Sequence, residues 1–179
     1  NEQSRPSVFV NGDNPMLVQV GDTFTDPGAS GWDPLAHVAL PVTVIGTVNT
    51  YSLGSYLLTY TATNSLGMQA SATRSVIVAD NVPPVITLNG SANMVVAYGA
   101  TFTDPGATAM DAFAGPVPVT VTGTVDTHRR GVYTLTYSAS DPSGNTATAT
   151  RTVNVTYQTA PTVTVIGANP LLVQVGTQF

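Results

Sequence analysis

Just over half of residues 6–29 return unchanged at 84–107, and this internal repetition constrains the chain more than any other feature. A repeated unit is one structural module that recurs, so the fold must fit inside the repeat length. PSVFVNGDNPMLVQVGDTFTDPGA, from Pro6 to Ala29, aligns with PVITLNGSANMVVAYGATFTDPGA, from Pro84 to Ala107, at an offset of 78. Thr23–Ala29 matches Thr101–Ala107 at every position. Further on the offset is 77, through Gly46/Gly123, Tyr56/Tyr133, Tyr60/Tyr137, Gly67/Gly144 and Arg74/Arg151. A one-residue deletion between Asp33/Asp111 and Pro41/Pro118 accounts for the change. A third copy begins at Pro161 and reaches Phe179, which aligns with Phe24. The expected organisation is therefore repeat 1 at 1–80, repeat 2 at 81–158 and the first strands of a third at 159–179.

Within a repeat the hydrophobic period is two. Tyr133, Leu135, Tyr137 and Ala139 share one face of their segment, while Val132, Thr134, Thr136 and Ser138 share the other. The next segment sets Ala147, Ala149, Arg151, Val153 and Val155 against Thr146, Thr148, Thr150, Thr152 and Asn154. This is the alternation of strands with one packed face and one wet face. Asp141-Pro-Ser-Gly-Asn145, and its counterpart Asn64-Ser-Leu-Gly-Met68, separate such segments and read as hairpin turns. No stretch offers a helical face. Short strands with turn signals about every ten residues predict an all-β fold, a small antiparallel sandwich of about seven strands per repeat. Ala79-Asp-Asn-Val-Pro-Pro84 and Thr156-Tyr-Gln-Thr-Ala-Pro161 are the linkers, and proline stiffens both.

Composition removes whole classes of function. Only 8% of residues are charged, the net charge is −5, and all five basic residues are arginine. Nucleic-acid binding is not expected, because counterion release needs clustered basic side chains. Without cysteine there is no disulfide scaffold, thiolate metal site or cysteine catalysis. Without lysine there is no Lys–Asn isopeptide staple. No apolar run approaches the ~20 residues of a membrane helix, so membrane insertion is not expected. The chain opens Asn-Glu-Gln-Ser-Arg, which carries no signal-peptide pattern.

The order PPVITLNG, G-x-TFTDPGA, G-T-V-D-T, G-x-Y-x-L-x-Y-x-A-x-D and G-N-x-A-x-A-x-R-x-V resembles the bacterial immunoglobulin-like repeats found in tandem in surface and secreted proteins. The Ig-like domain type of some pesticidal crystal proteins is similar, with hyalin repeats more distant. The resemblance covers essentially the whole chain, and repeat 2 fits it best. Repeat 1 departs where Asp126 becomes Asn49 and Asp141 becomes Asn64. It implies immunoglobulin-like sandwiches at an extracellular or cell-surface location. The function it implies is that of a spacer, stalk, adhesin module or accessory domain rather than a catalytic part.

The candidate residues divide between structural and functional roles. His37 and His128 do not correspond between repeats, and no serine near either sits in a strand–turn–helix elbow, so no catalytic residue is expected. Thr25-Asp26-Pro27-Gly28 and Thr103-Asp104-Pro105-Gly106 read as turns whose aspartate accepts backbone N–H bonds. Arg74 and Arg151 fall on the inward face of the last strand, where an unpaired guanidinium is costly. The expected pairs are Arg74 with Asp26 and Arg151 with Asp104. The functional alternative for the aspartates is calcium, which takes six to eight oxygens. Asp104, Asp111 and Asp141 form the expected set in repeat 2, and Asp26, Asp33 and Asn64 the poorer one in repeat 1. The linker pair Asp80-Asn81 is similar to the calcium-binding junctions of cadherin-like repeats. No other cofactor is expected. Tyr56, Tyr60, Tyr133 and Tyr137 read as core. Trp32, the only tryptophan, lies in a Gly/Asp/Pro stretch read as a loop, and is the candidate for stacking on a sugar.

Pro161–Phe179 cannot bury its own apolar face. Either the array runs on, or Val163–Val165 and Leu171–Val175 pair with a neighbouring copy as in strand donation, or the segment folds back on repeat 2. The expected function is a non-catalytic extracellular structural protein, a repeat stalk or surface-filament subunit whose partners are neighbouring copies. The rival is an adhesin or carbohydrate-binding accessory module with a glycan or host receptor as partner.

Overall fold

The computed structural model describes residues 5–158 and 161–166, and every regular element among them is a strand. The first repeat supplies β1 (Ser7–Val10), β2 (Met16–Gln19), β3 (Ala29–Asp33), β4 (Val38–Leu40), β5 (Val42–Ile45), β6 (Gly54–Thr63) and β7 (Gln69–Ala79). The second supplies β8 (Val85–Leu88), β9 (Asn93–Ala97), β10 (Ala107–Asp111), β11 (Gly115–Val117), β12 (Val119–Thr122), β13 (Gly131–Ser140) and β14 (Thr146–Thr156).

Each repeat forms two sheets. A three-stranded sheet runs β1-β3-β4 in the first and β8-β10-β11 in the second. A four-stranded sheet runs β2-β7-β6-β5 in the first and β9-β14-β13-β12 in the second. In the first repeat the apolar face of the long hairpin closes on the smaller sheet. In the first repeat Val18, Val20, Leu58, Tyr60, Val76 and Val78 form the core, with Val8, Val10, Met16, Phe24 and Tyr56 packed around it. In the second, Leu135, Tyr137, Ala139, Val153 and Val155 are buried in the same way. The threonines and serines between them face water, as the period-two pattern requires. The turn after β6 closes through Asn64 N–H to Met68 O at 3.0 Å, and the turn after β13 through Asp141 N–H to Asn145 O at 3.0 Å.

One pairing in each repeat departs from the antiparallel expectation. β2 runs parallel to β7, with Met16 opposite Val76 and Gln19 opposite Ala79. β9 runs parallel to β14, with Asn93 opposite Thr152 and Ala97 opposite Thr156. The cause is a change of sheet. Asn11 is tied to Gly28 (N–H to O, 3.0 Å), where β1 ends, and residues 12–15 carry the chain across to the other layer. β2 therefore meets the last strand side by side and in the same direction. The ladder extends past the strand ends through Val20 N–H to Ala79 O (2.9 Å) and Tyr98 N–H to Thr156 O (3.0 Å).

Val163–Val165, expected as a strand, has no regular structure and is exposed. Leu171–Val175 lies outside the described residues, as does most of the expected third repeat. The chain also divides into two compact units. One holds the first repeat together with residues 107–120 and 138–148; the other holds 88–106, 121–137 and the chain from Ala149 on.

Candidate functional site

Two groups of charged side chains are built into the fold. The first occurs in both repeats. Arg74 and Arg151 lie on the inward face of the last strand and are fully buried. Arg74 donates from Nε to the Tyr60 hydroxyl at 3.0 Å, from Nη1 to the Asp13 carbonyl at 2.6 Å, and from Nη2 to the Asn11 and Gly28 carbonyls. Its Nε stands 3.5 Å from Asp26 Oδ1. Arg151 donates from Nε to the Ser91 carbonyl at 3.0 Å, from Nη1 to Asp104 and to the Tyr137 hydroxyl, and from Nη2 to the Asn89 and Gly106 carbonyls. The same three carbonyl positions, one tyrosine and one aspartate thus receive the guanidinium in each copy. Five fixed N–H donors suit such a set, and a buried guanidinium is tolerable only when so satisfied.

The Asp-Pro-Gly turn presents the carboxylate. Gly28 N–H donates to Asp26 Oδ1 at 2.9 Å and Gly106 N–H to Asp104 Oδ1 at 3.1 Å. Both glycines adopt positive φ, 73° and 77°, which is why the motif ends in glycine. Tyr60 and Tyr137 each donate to the same oxygen at 2.6 Å. Burial pushes the Tyr137 hydroxyl up to about 12, helped by its bond to Asp104 and opposed by Arg151. Tyr60 is raised for the same reasons. Burial works against the Asp104 charge, but the Tyr137 hydroxyl, the Gly106 amide and Arg151 together hold its carboxyl below the usual value. Tyr60 and Tyr137, read from the sequence as core, are buried in it and through their hydroxyls are also members of this clasp. The available signal was their place beside the arginine: Leu58 is opposite Arg74, and Tyr60 is the next residue on the same face.

The second group is the aspartate cluster. Asp80, Asp111 and Asp141 are all buried, and one carboxylate oxygen from each lies within 4.8 Å of the others. All three belong to the first compact unit. The expected calcium set was Asp104, Asp111 and Asp141. The structure brings the last two together with Asp80, whereas Asp104 is held by Arg151 at the Asp-Pro-Gly turn. Asp111 Oδ1 caps the turn after β10, accepting from Phe113 N–H at 2.9 Å and Ala114 N–H at 2.7 Å. Asp141 accepts from the Asn145 amide N–H and from Asn145 Nδ2. Burial raises its carboxyl, but the Asn145 side chain and the Asn145, Gly144 and Ser143 amides outweigh it and hold the group below the usual value. Asp80 accepts from Gln19 Nε2 at 3.1 Å, Val82 N–H at 3.2 Å and Ser143 at 3.3 Å. In repeat 1, Asp33 caps its turn through Leu35 and Ala36 N–H, and Asn64 stands where Asp141 stands in repeat 2.

Trp32 lies on β3 rather than in a loop, opposite Ser7 and Ala39, and is 41% exposed. Gly31, within the stretch read as a loop, is a close-packing position: a Cβ there would stand 3.0 Å from the Ala62 Cβ and the Leu40 carbonyl. Met110 occupies the equivalent place on β10. His37 and His128 lie in separate turns, and His128 meets the Tyr98 ring edge-on.

The family model described as bacterial surface protein, Ig-like domain, matches residues 8–78 and again 86–155. An uncharacterized 81.3 kDa protein of Acholeplasma phage L2 is 33% identical over 140 residues, covering 72% of this chain and 19% of its own length. Hyalin of Lytechinus variegatus is 34% identical over 136 residues, covering 71% of this chain and 26% of its own. The chain thus spans about a fifth of the length of the first and about a quarter of the second. A solved structure of the M60 catalytic domain with two CBM51 domains, from Clostridium perfringens ZmpB, aligns over 87% of this chain and 31% of its own at 13% identity and a TM-score of 0.49.

Proposed function

This chain belongs to the bacterial surface Ig-like domain family, and on that premise we propose that it is a non-catalytic, tension-resisting spacer of an extracellular stalk or surface filament. The observation that carries the reading is the parallel pairing of β2 with β7 and of β9 with β14. In each repeat an entering strand and the leaving strand are neighbours that point the same way. Tension between the two ends of a repeat pulls such strands in opposite directions along their length. The ladder bonds are then loaded together in shear, whereas an antiparallel hairpin pulled from its open end loses them one at a time. The clasp supports the same reading, because it ties the last strand to the 11–13 and 26–28 loops of the same repeat through charge-assisted bonds. The chemistry that recurs in both copies is therefore spent on holding each sandwich closed.

Single-molecule pulling tests the proposal, since forced unfolding reports the rate at which the native state opens. Two separate events are expected, each releasing about 240 Å of extended chain for roughly 70 residues, less the folded length. Both should need forces well above those that peel a hairpin. Release at hairpin-like forces would remove the mechanical reading.

The second reading, an adhesin or carbohydrate-binding accessory module, is favoured by one feature of the first repeat. Trp32 and Phe9 are both exposed on the β1-β3-β4 sheet, and such a platform suits stacking against an apolar sugar face. Binding on a glycan array that Trp32→Ala abolishes would favour this reading over the spacer.

A further inference from the structure

We propose that Asp80, Asp111 and Asp141 bind one calcium ion, held by Asp111 Oδ2 and by carboxylate oxygens of the other two. The proposal stands apart from the mechanical reading above. Its first support is an unsatisfied atom. Asp111 is 2% exposed, its Oδ1 takes both turn amides, and its Oδ2 is buried with no hydrogen-bond partner. Natural folds rarely leave a buried charged oxygen unanswered, and a bound cation is one of the few physical accounts of such an atom.

The second support is charge. Three carboxylates converge in a buried place, and the donors that reach them are neutral: Gln19, Ser143, Asn145 and backbone amides. Among the described residues the two ion pairs are Arg74 with Asp26 and Arg151 with Asp104, so neither compensates this cluster. Like charges brought this close raise the free energy of the ionised state unless a cation joins them. Each carboxylate oxygen has two lone-pair directions, so those already accepting one hydrogen bond can still coordinate.

Geometry and ligand type choose the ion. Two oxygens bound to calcium at about 2.3–2.6 Å stand at most about 5 Å apart, a limit the 4.8 Å cluster meets. Magnesium demands strict octahedral geometry at about 2.0–2.1 Å and gives up its waters reluctantly, so a buried set of protein carboxylates suits it less well. An all-oxygen set without imidazole or thiolate disfavours zinc and copper. Water completes the shell. The site belongs to the second copy of the turn pair, because the first has Asn64 where the second has Asp141 and so carries one carboxylate fewer.

Calorimetric titration of CaCl2 into the whole chain, after EDTA treatment and dialysis, tests this. One saturable site per chain is expected, with magnesium weaker by at least tenfold and the melting temperature rising with calcium. Asp141→Asn should fold, since asparagine already fills that position in repeat 1, and should weaken calcium at least tenfold. Asp111→Asn should abolish the saturable site, while Asp33→Asn should leave the affinity unchanged. Absence of saturable heat and of any melting shift in millimolar calcium would overturn the proposal. So would binding that survives both Asp111→Asn and Asp141→Asn, or equal affinity for magnesium.

Discussion

Each buried guanidinium is held by a different balance of contacts in the two copies. Arg151 Nη1 bonds directly to Asp104, whereas Arg74 approaches Asp26 only to 3.5 Å and relies more on carbonyls. Arg151→Ala should lower stability by about 3–5 kcal/mol, the usual penalty for breaking a buried pair. Asp104→Asn should cost less, about 1–2 kcal/mol, because the amide oxygen can still accept from Gly106 and Tyr137. A double-mutant cycle read by chemical denaturation should show clear coupling at 104/151 and weaker coupling at 26/74; additive losses at both would contradict the clasp. The tyrosines set a pH limit. Tyr137 ionises near 10 when unfolded and at about 12 in the fold, so the folded state holds the proton more tightly. Its contribution, about 2–3 kcal/mol, is fully present below pH 10 and is lost as pH rises toward about 12. Asp104, shifted the other way, contributes above its unfolded value and loses that contribution as pH falls below it. Denaturation curves across the alkaline range should show the first effect, and Tyr137→Phe should flatten it.

At the scale of elements, the sandwiches were legible because alternation, turn glycines and repetition all point the same way. Seven strands per repeat, the long β6–β7 and β13–β14 hairpins, and the inward arginines follow from residue order alone. The parallel pairs do not. Hydrophobic alternation reports which face of a strand is buried but carries no information on its direction or neighbour. Residues 12–15 look like any polar loop, although they move the chain between sheets. Trp32 was misplaced for a related reason: Gly31 signals a turn in sequence, while in space it makes room for Ala62. The aspartate cluster was half legible. Asp111 and Asp141 are turn caps recognisable from spacing, but Asp80 joins them only through the folding of three distant stretches.

At the scale of the molecule, the two repeats share one scaffold and differ in what is mounted on it. The exposed Trp32 is confined to the first repeat and the three-carboxylate cluster to the described second-repeat turns with Asp80. The clasp also imposes an order in time. Its guanidinium sits on the last strand, and every group that receives it lies earlier in the chain. As a chain is synthesised or exported from its N-terminus, Asn11, Asp13, Asp26 and Gly28 wait for residue 74 to arrive. A repeat therefore cannot complete its clasp until its final strand is present. The corresponding arginine of the next copy, Arg151, follows only at an offset of 77 residues.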